Sequence, residues 1–161
     1  MPVPPVPNVG DEWYTPPTII AAARDSMGGI DLDPASCPEA NVVVRAARYY
    51  TAACDGLAQP WAGRIWCNPP FSGRQIRDWY RRVRDHDGPA PMFLIHSQGK
   101  HVIDAIRRAD WVCWLPEMRH KWYGPASNGK DSRGPWRMQP LMVVGFRCKP
   151  SPLWDEIGVV R

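Results

Sequence analysis

The chain is 161 residues long, enough for one domain on a single core, and its 44% hydrophobic and 22% charged residues exclude a fibrous or wholly disordered protein. A formal net charge of +4 permits a polyanionic partner without demanding one. Cys37, Cys54, Cys67, Cys113 and Cys148 never fall in a C-x-x-C spacing, which argues against zinc or a disulfide framework and for reduced thiols in the cytoplasm.

Residues 1–12 carry four prolines and no periodicity, and read as an extended arm. They contain no basic n-region and no long apolar run, so neither secretion nor membrane insertion is expected. A single domain is expected over 13–161. Thr15 is a predicted N-cap with Pro16 at the first helical position, Ile20, Ala23 and Met27 recur at helical spacing, and Gly28-Gly29 ends the helix. Trp13 and Tyr14 before it read as an apolar lid on that helix or as ligand contacts.

Ile30-Asp31-Leu32-Asp33 reads as a short strand stopped by Pro34, with Ile30 and Leu32 on one face and both aspartates on the other. Asp33 stands where open α/β sheets place ligand-binding groups, at a strand's C-terminal end; the alternative is a carboxylate that caps the following turn. A short helix over 39–47, an edge strand at Tyr49-Tyr50-Thr51, and turns at Asp55-Gly56-Leu57 and Trp61-Ala62-Gly63 follow. After the strand Ile65-Trp66-Cys67, the clearest helix has Ile76, Trp79, Tyr80 and Val83 at i, i+3, i+4, i+7, with Arg74, Arg77, Arg81, Arg82 and Arg84 on its other face. Such a face is either solvated or binds phosphates. Met92–Ile95 is a predicted strand, 102–109 a helix with Val102, Ile103, Ile106 and Ala109 inward, and Trp111–Leu115 and Leu141–Phe146 two further strands. Strand and helix alternate from Ile65, which argues for a parallel, three-layer α/β sheet. Between them, 117–140 is a long loop in which Arg119, Lys121, Lys130, Arg133 and Arg137 are interleaved with Trp122, Tyr123 and Trp136, a pattern that favours a nucleic-acid contact.

The chemistry concentrates at Asn68-Pro69-Pro70-Phe71. A residue before proline is driven out of the α region, and neither proline has an N–H, so carbonyl oxygens project unopposed from the end of a strand. An exocyclic amine conjugated to a ring is a weak nucleophile because its lone pair is delocalised. If the Asn68 amide oxygen and the Pro69 carbonyl each accept one amine hydrogen, the nitrogen pyramidalises and recovers that pair. Phe71 then offers a surface on which a flipped ring stacks. The bland alternative is a turn in a chain that holds 19 prolines. His86, His96, His101 and His120 have no metal-ligand spacing and read as packing or surface residues, and no metal is expected.

Taken together, Trp13-Tyr14-Thr15-Pro16, Asp31-Leu32-Asp33-Pro34-Ala35, Tyr49-Tyr50-Thr51, Asp55-Gly56-Leu57 and Asn68-Pro69-Pro70-Phe71 resemble the phage-encoded, Dam-like DNA adenine-N6 methyltransferases, over most of the chain after residue 12. The resemblance implies a compact Rossmann-like S-adenosylmethionine methyltransferase fold, mostly parallel with an antiparallel C-terminal strand, working in the cytoplasm of a bacterium or phage-infected cell. It implies S-adenosylmethionine bound by Trp13, Tyr14, Thr15, Pro16, Asp31, Asp33, Pro34, Ala35, Asp55 and Leu57. Asp33 would stand near the methionine amino group and Asp55 at the adenine amine. Catalysis would fall to Asn68, Pro69, Pro70 and Phe71, with in-line transfer to a flipped adenine and the proton lost to water, and DNA contacts to Arg74, Arg77 and the basic residues of 117–140. Two departures stand out: Ser36-Cys37-Pro38 replaces the family's glycines, and Phe71 replaces its commoner tyrosine. Other amine acceptors (cytosine N4, an RNA base, a protein glutamine) and a catalytically silent nucleic-acid-binding module are the alternatives.

Overall fold

The computed structural model describes residues 13–71, 75–96, 100–116, 122 and 141–161. The elements are α1 (Pro17–Met27), β1 (Leu32–Asp33), α2 (Pro38–Val44), β2 (Arg48–Tyr49), a 3-10 turn (Ala52–Cys54), β3 (Trp66–Cys67), α3 (Ile76–Arg84), β4 (Met92–His96), α4 (Lys100–Arg108), β5 (Trp111–Leu115), β6 (Leu141–Gly145), α5 (Leu153–Ile157) and β7 (Val159–Val160).

Helix α1 begins one residue later than its sequence suggests. Pro16 occupies the cap position in an extended conformation and makes no side-chain cap bond. With Pro17 at the first helical position and Pro16 at the cap, Thr15 lies one residue before the cap position. The helix ends as expected, with Gly28 left-handed at φ 72°. Helix α2 is capped by the Cys37 thiol, which accepts from the Ala40 N–H at 3.4 Å, and stops at Val44 because Arg45 turns left-handed at φ 51°.

β2 pairs in parallel with β1, a single parallel bridge from Leu32 to Ile65 sets β1 beside β3, and β3 runs parallel to β4. β6 enters between β4 and β5, antiparallel to both, and β7 closes antiparallel on β5. The expectation of a mostly parallel sheet therefore needs correction. β1 to β5 do share one direction, but in the five-stranded sheet β3-β4-β6-β5-β7 only the β3–β4 pairing is parallel. The antiparallel β6 lies inside the sheet, between β4 and β5.

Alternation along β4 sends Met92 and Leu94 into one apolar cluster, with Ile19 and Ile20 of α1 and Trp154 of α5. Phe93 and Ile95 enter a second cluster, with Trp79, Tyr80 and Val83 of α3 and Val102 and Ala105 of α4. Helices thus cover both faces of the sheet. Ile30 and Leu32, expected on one face, fall into opposite clusters because the strand starts only at Leu32. On α4 the inward stripe is Val102 and Ala105, while Ile103 (56%) and Ile106 (40%) are exposed. α5 and β7 carry no periodicity long enough to read from sequence. They are fixed by tertiary bonds, the Trp154 indole N–H donating to Ser26 Oγ at 2.9 Å and the Ser151 hydroxyl to Asp25 at 2.5 Å. No helix among the described residues is long and apolar enough to cross a membrane.

Arg64 joins the β1–β2 pair to the larger sheet. Its carbonyl accepts from the N–H groups of Asp31 and Leu32. Its guanidinium grips the Asp31 carboxylate at 2.7 and 2.8 Å and donates to the Gly28 carbonyl at 2.5 Å. The Arg64 hydrogen bonds hold the Asp31 carboxyl down from 3.8 to about 2. A depressed carboxyl stabilises the fold above its unfolded value and loses that contribution as pH falls through its folded value. Arg64→Gln is therefore expected to flatten the loss of stability between pH 4 and pH 2 relative to the unaltered protein, measured as urea midpoints across that range; an unchanged acid limb would contradict the pairing.

Candidate active site

β1 has β2 on one side and β3 on the other, so the crevice beyond the C-terminal ends of β1 and β3 is the point where the strand order reverses, the usual ligand position in open α/β sheets. Two groups of residues meet this crevice from the two strand ends.

From β1 comes Asp33, only 2% exposed. Its Oδ1 accepts the Ala35 N–H at 3.2 Å, so the turn-capping contact forms. One N–H is little compensation for a buried carboxylate. Burial pushes the carboxyl up from 3.8 to about 7, opposed by the Ala35 N–H and the nearby Ser36 hydroxyl. That hydroxyl lies close enough to favour the charged form, yet its buried oxygen completes no hydrogen bond of ordinary geometry among the described residues. The Cys67 thiol of β3 is pushed up by burial and by the charge of Asp33. The turn needs no glycine: the Ser36 N–H donates to the Tyr50 carbonyl at 2.9 Å and chain direction changes at the Cys37 cap.

Pro34 is buried, and against its carbonyl lies the Asp55-Gly56-Leu57 turn. A Cβ on Gly56 would stand 1.8 Å from the Pro34 oxygen, so only glycine permits this approach. Asp55 is exposed and left-handed at φ 48°, its Oδ1 accepting the Leu57 N–H at 3.2 Å, and Leu57 packs on the second cluster. The loop is held from below. Arg82 donates to the carbonyls of Leu57 and Gln59 and lies 4.8 Å over the Trp61 ring, which stacks on Trp79 and donates to the Gly56 carbonyl at 2.8 Å. Arg82 lies on the basic helix face that the sequence leaves as either solvated or phosphate-binding, and here it supports this loop. Arg84 is likewise engaged, with Asp85 and Asp104. Arg77 and Arg81 point outward from α3.

From β3 comes Asn68, half-buried, followed by buried Pro69 and exposed Pro70. The Asn68 Nδ2 donates to the Trp13 carbonyl at 2.9 Å and to the Thr15 Oγ1 at 3.2 Å. A carbonyl oxygen only accepts, so these bonds assign the nitrogen side of the amide and leave its oxygen on the other side. Phe71 meets His96, at the end of β4, edge to face with ring centroids 4.3 Å apart. His96, read from sequence as a packing or surface residue, packs here against Phe71. His86 is a packing residue, its Nε2 lying 2.8 Å from the Gly63 carbonyl.

Of the other residues singled out from sequence, Trp13 packs on the first cluster, the Tyr14 hydroxyl lies beside the Cys37 thiol, Pro16 is buried and Ala35 borders the second cluster. Asp31 faces Arg64, its carboxylate accepting from the Arg64 backbone N–H and guanidinium. Arg74, Arg119, Lys121, Lys130, Arg133 and Arg137, and the side chains of His101 and His120, lie outside the described residues. No group of three or more His, Cys, Asp or Glu side chains among the described residues suits a metal ion.

The chain is thus of the mixed α/β class, with a buried carboxylate and an oriented amide at neighbouring strand ends. The sequence model of one family, DNA N-6-adenine-methyltransferase (Dam), matches residues 5–150. The chain belongs to that family and is a DNA adenine-N6 methyltransferase. No curated protein and no solved structure matches it significantly.

The raised carboxyl of Asp33 has a consequence for stability. Above the unfolded value of 3.8 the unfolded chain has lost a proton that the folded one keeps up to about 7, so Asp33 makes stability fall as pH rises through that window. Asp33→Asn is expected to remove this contribution and to raise the melting temperature at pH 7.5 more than at pH 4.5 by calorimetry. An equal effect at both pH values would contradict the assignment.

Proposed function

We propose that the protein methylates the N6 amine of adenine in DNA from S-adenosylmethionine, with the target base turned out of the duplex into the crevice between the ends of β1 and β3. The observation that carries this reading is the orientation of Asn68: both bonds from Nδ2 face the Trp13–Thr15 segment, which gives the oxygen to an incoming amine. The Asn68 oxygen and the Pro69 carbonyl each take one amine hydrogen, so the nitrogen lone pair is freed from the ring. The Phe71 ring, set by His96, supports the base by stacking, and extrusion is the route by which an atom inside a duplex reaches such a pocket. The amine proton leaves to water.

The residues present suit the cofactor. A buried carboxylate with one N–H partner and a buried hydroxyl beside it call for a cation with hydrogens to donate, which is what a methionine ammonium offers. Asp33 and Ser36 would hold that end, exposed Asp55 the adenine amine, and Leu57, Trp13, Tyr14 and Pro16 would border it. When bound, S-adenosylmethionine supplies an electrophilic methyl group for direct in-line transfer. The sheet reading that accompanies this is the three-layer, Rossmann-like one, supported by helices on both faces and by the reversal of strand order at β1. Outward Arg77 and the basic, aromatic-rich stretch 117–140, most of which lies outside the described residues, are the DNA-contacting elements of the proposal.

Nucleoside mass spectrometry of plasmid DNA from expressing cells tests it. N6-methyladenine is expected with the unaltered protein, and Asn68→Ala is expected to lower its formation by about 10²-fold or more, the scale of removing one oriented group from a developing charge. Methylation confined to cytosine or to RNA, or equal levels with Asn68→Ala, would overturn the reading.

A further inference from the structure

An asparagine amide presents either its oxygen or its nitrogen after a half-turn about its last side-chain bond, and only the oxygen can receive an amine hydrogen. The partners of Asn68 therefore decide whether it can act. Trp13 offers a carbonyl, which accepts and never donates, so a half-turn would set oxygen against oxygen. With that bond alone, one amide hydrogen is held and the plane of the group can rock about it. The second bond, from the same nitrogen to the Thr15 hydroxyl at 3.2 Å, adds a second anchor for the amide. Thr15 is only 3% exposed, and its hydroxyl faces Asn68 across 53 residues of sequence. Its backbone is fixed on both sides, by Trp13 packed on the first cluster and by Pro16-Pro17 with their locked φ angles.

We infer that Thr15 is a positioning residue for transfer to the acceptor amine: with the Trp13 carbonyl it anchors the nitrogen of the Asn68 amide, so that the oxygen alone meets the base. The role differs from contact with the cofactor and rests on the reading of Asn68 as acceptor of the amine. Preorganisation of this kind acts on kcat, because the orientation is needed at the moment charge develops on the amine.

The test measures kcat, KM for DNA and S-adenosylmethionine affinity for Thr15→Val, Thr15→Ser, Asn68→Ala and the double variant Thr15→Val/Asn68→Ala. Thr15→Val is expected to lower kcat about tenfold, the scale of one lost hydrogen bond, with cofactor affinity changed less than about twofold, and Thr15→Ser to restore kcat. In the Asn68→Ala background Thr15→Val should cause no further loss. An unchanged kcat in Thr15→Val, or a loss of cofactor affinity with kcat intact, overturns the role. Full activity in Asn68→Ala overturns instead the reading of Asn68 on which it rests. A readout on the unaltered protein, independent of how the variants fold, is hydrogen exchange of the two Asn68 side-chain amide protons by NMR. Slow exchange of both is expected, and fast exchange of either overturns the anchoring.

Discussion

The junction of β1 with β3 is the constraint on which the site depends. Each strand is two residues long, too short to hold its place by ladder bonds alone, and one bridge from Leu32 to Ile65 joins them. Arg64 does the rest, taking two N–H groups of β1's approach on its carbonyl, the Asp31 carboxylate on its guanidinium, and the end of α1 through the Gly28 carbonyl. Its side chain is about one-third exposed, so its Coulombic gain is modest, and its value is geometric. With β1 and β3 side by side, Asp33 and Asn68 arrive at one crevice.

The two halves of that crevice are built on opposite physical principles. Asn68 is satisfied before any ligand arrives: its donors are taken and its oxygen is set. Asp33 is the reverse, a buried carboxyl that accepts the Ala35 N–H and is pushed up to about 7 by burial. The two halves are tied by the 13–15 segment, which clamps Asn68 through Trp13 and Thr15 while the Tyr14 hydroxyl reaches the Cys37 cap at the β1 turn.

The legible parts of the sequence were those written in local chemistry. Gly28 closed α1 where its backbone freedom was needed, the Ile76–Val83 stripe gave α3, and the Pro-flanked Asn68 stood at a strand end. What sequence did not disclose depends on contacts between distant residues. Asp31 looked equivalent to Asp33 by alternation, but Arg64, 33 residues on, engages it. Arg82 and Arg84 stood on a basic face that sequence left as solvated or phosphate-binding, and one supports the Asp55 loop while the other meets an acidic pair. Thr15 had the composition of a cap, but the helix starts one residue later and its hydroxyl accepts from Asn68 instead. α5 is five residues long and owes its existence to the Trp154 and Ser151 bonds with α1, and the place of β6 inside the sheet is a matter of topology that periodicity does not encode.

The division of the crevice into a cofactor half and an acceptor half is tested most directly by measuring S-adenosylmethionine affinity and methyl transfer on the same two variants. Asp33→Ala is expected to lose cofactor binding, whereas Asn68→Ala keeps it and loses transfer. Cofactor affinity that survives Asp33→Ala, or that falls as far in Asn68→Ala, would contradict the division.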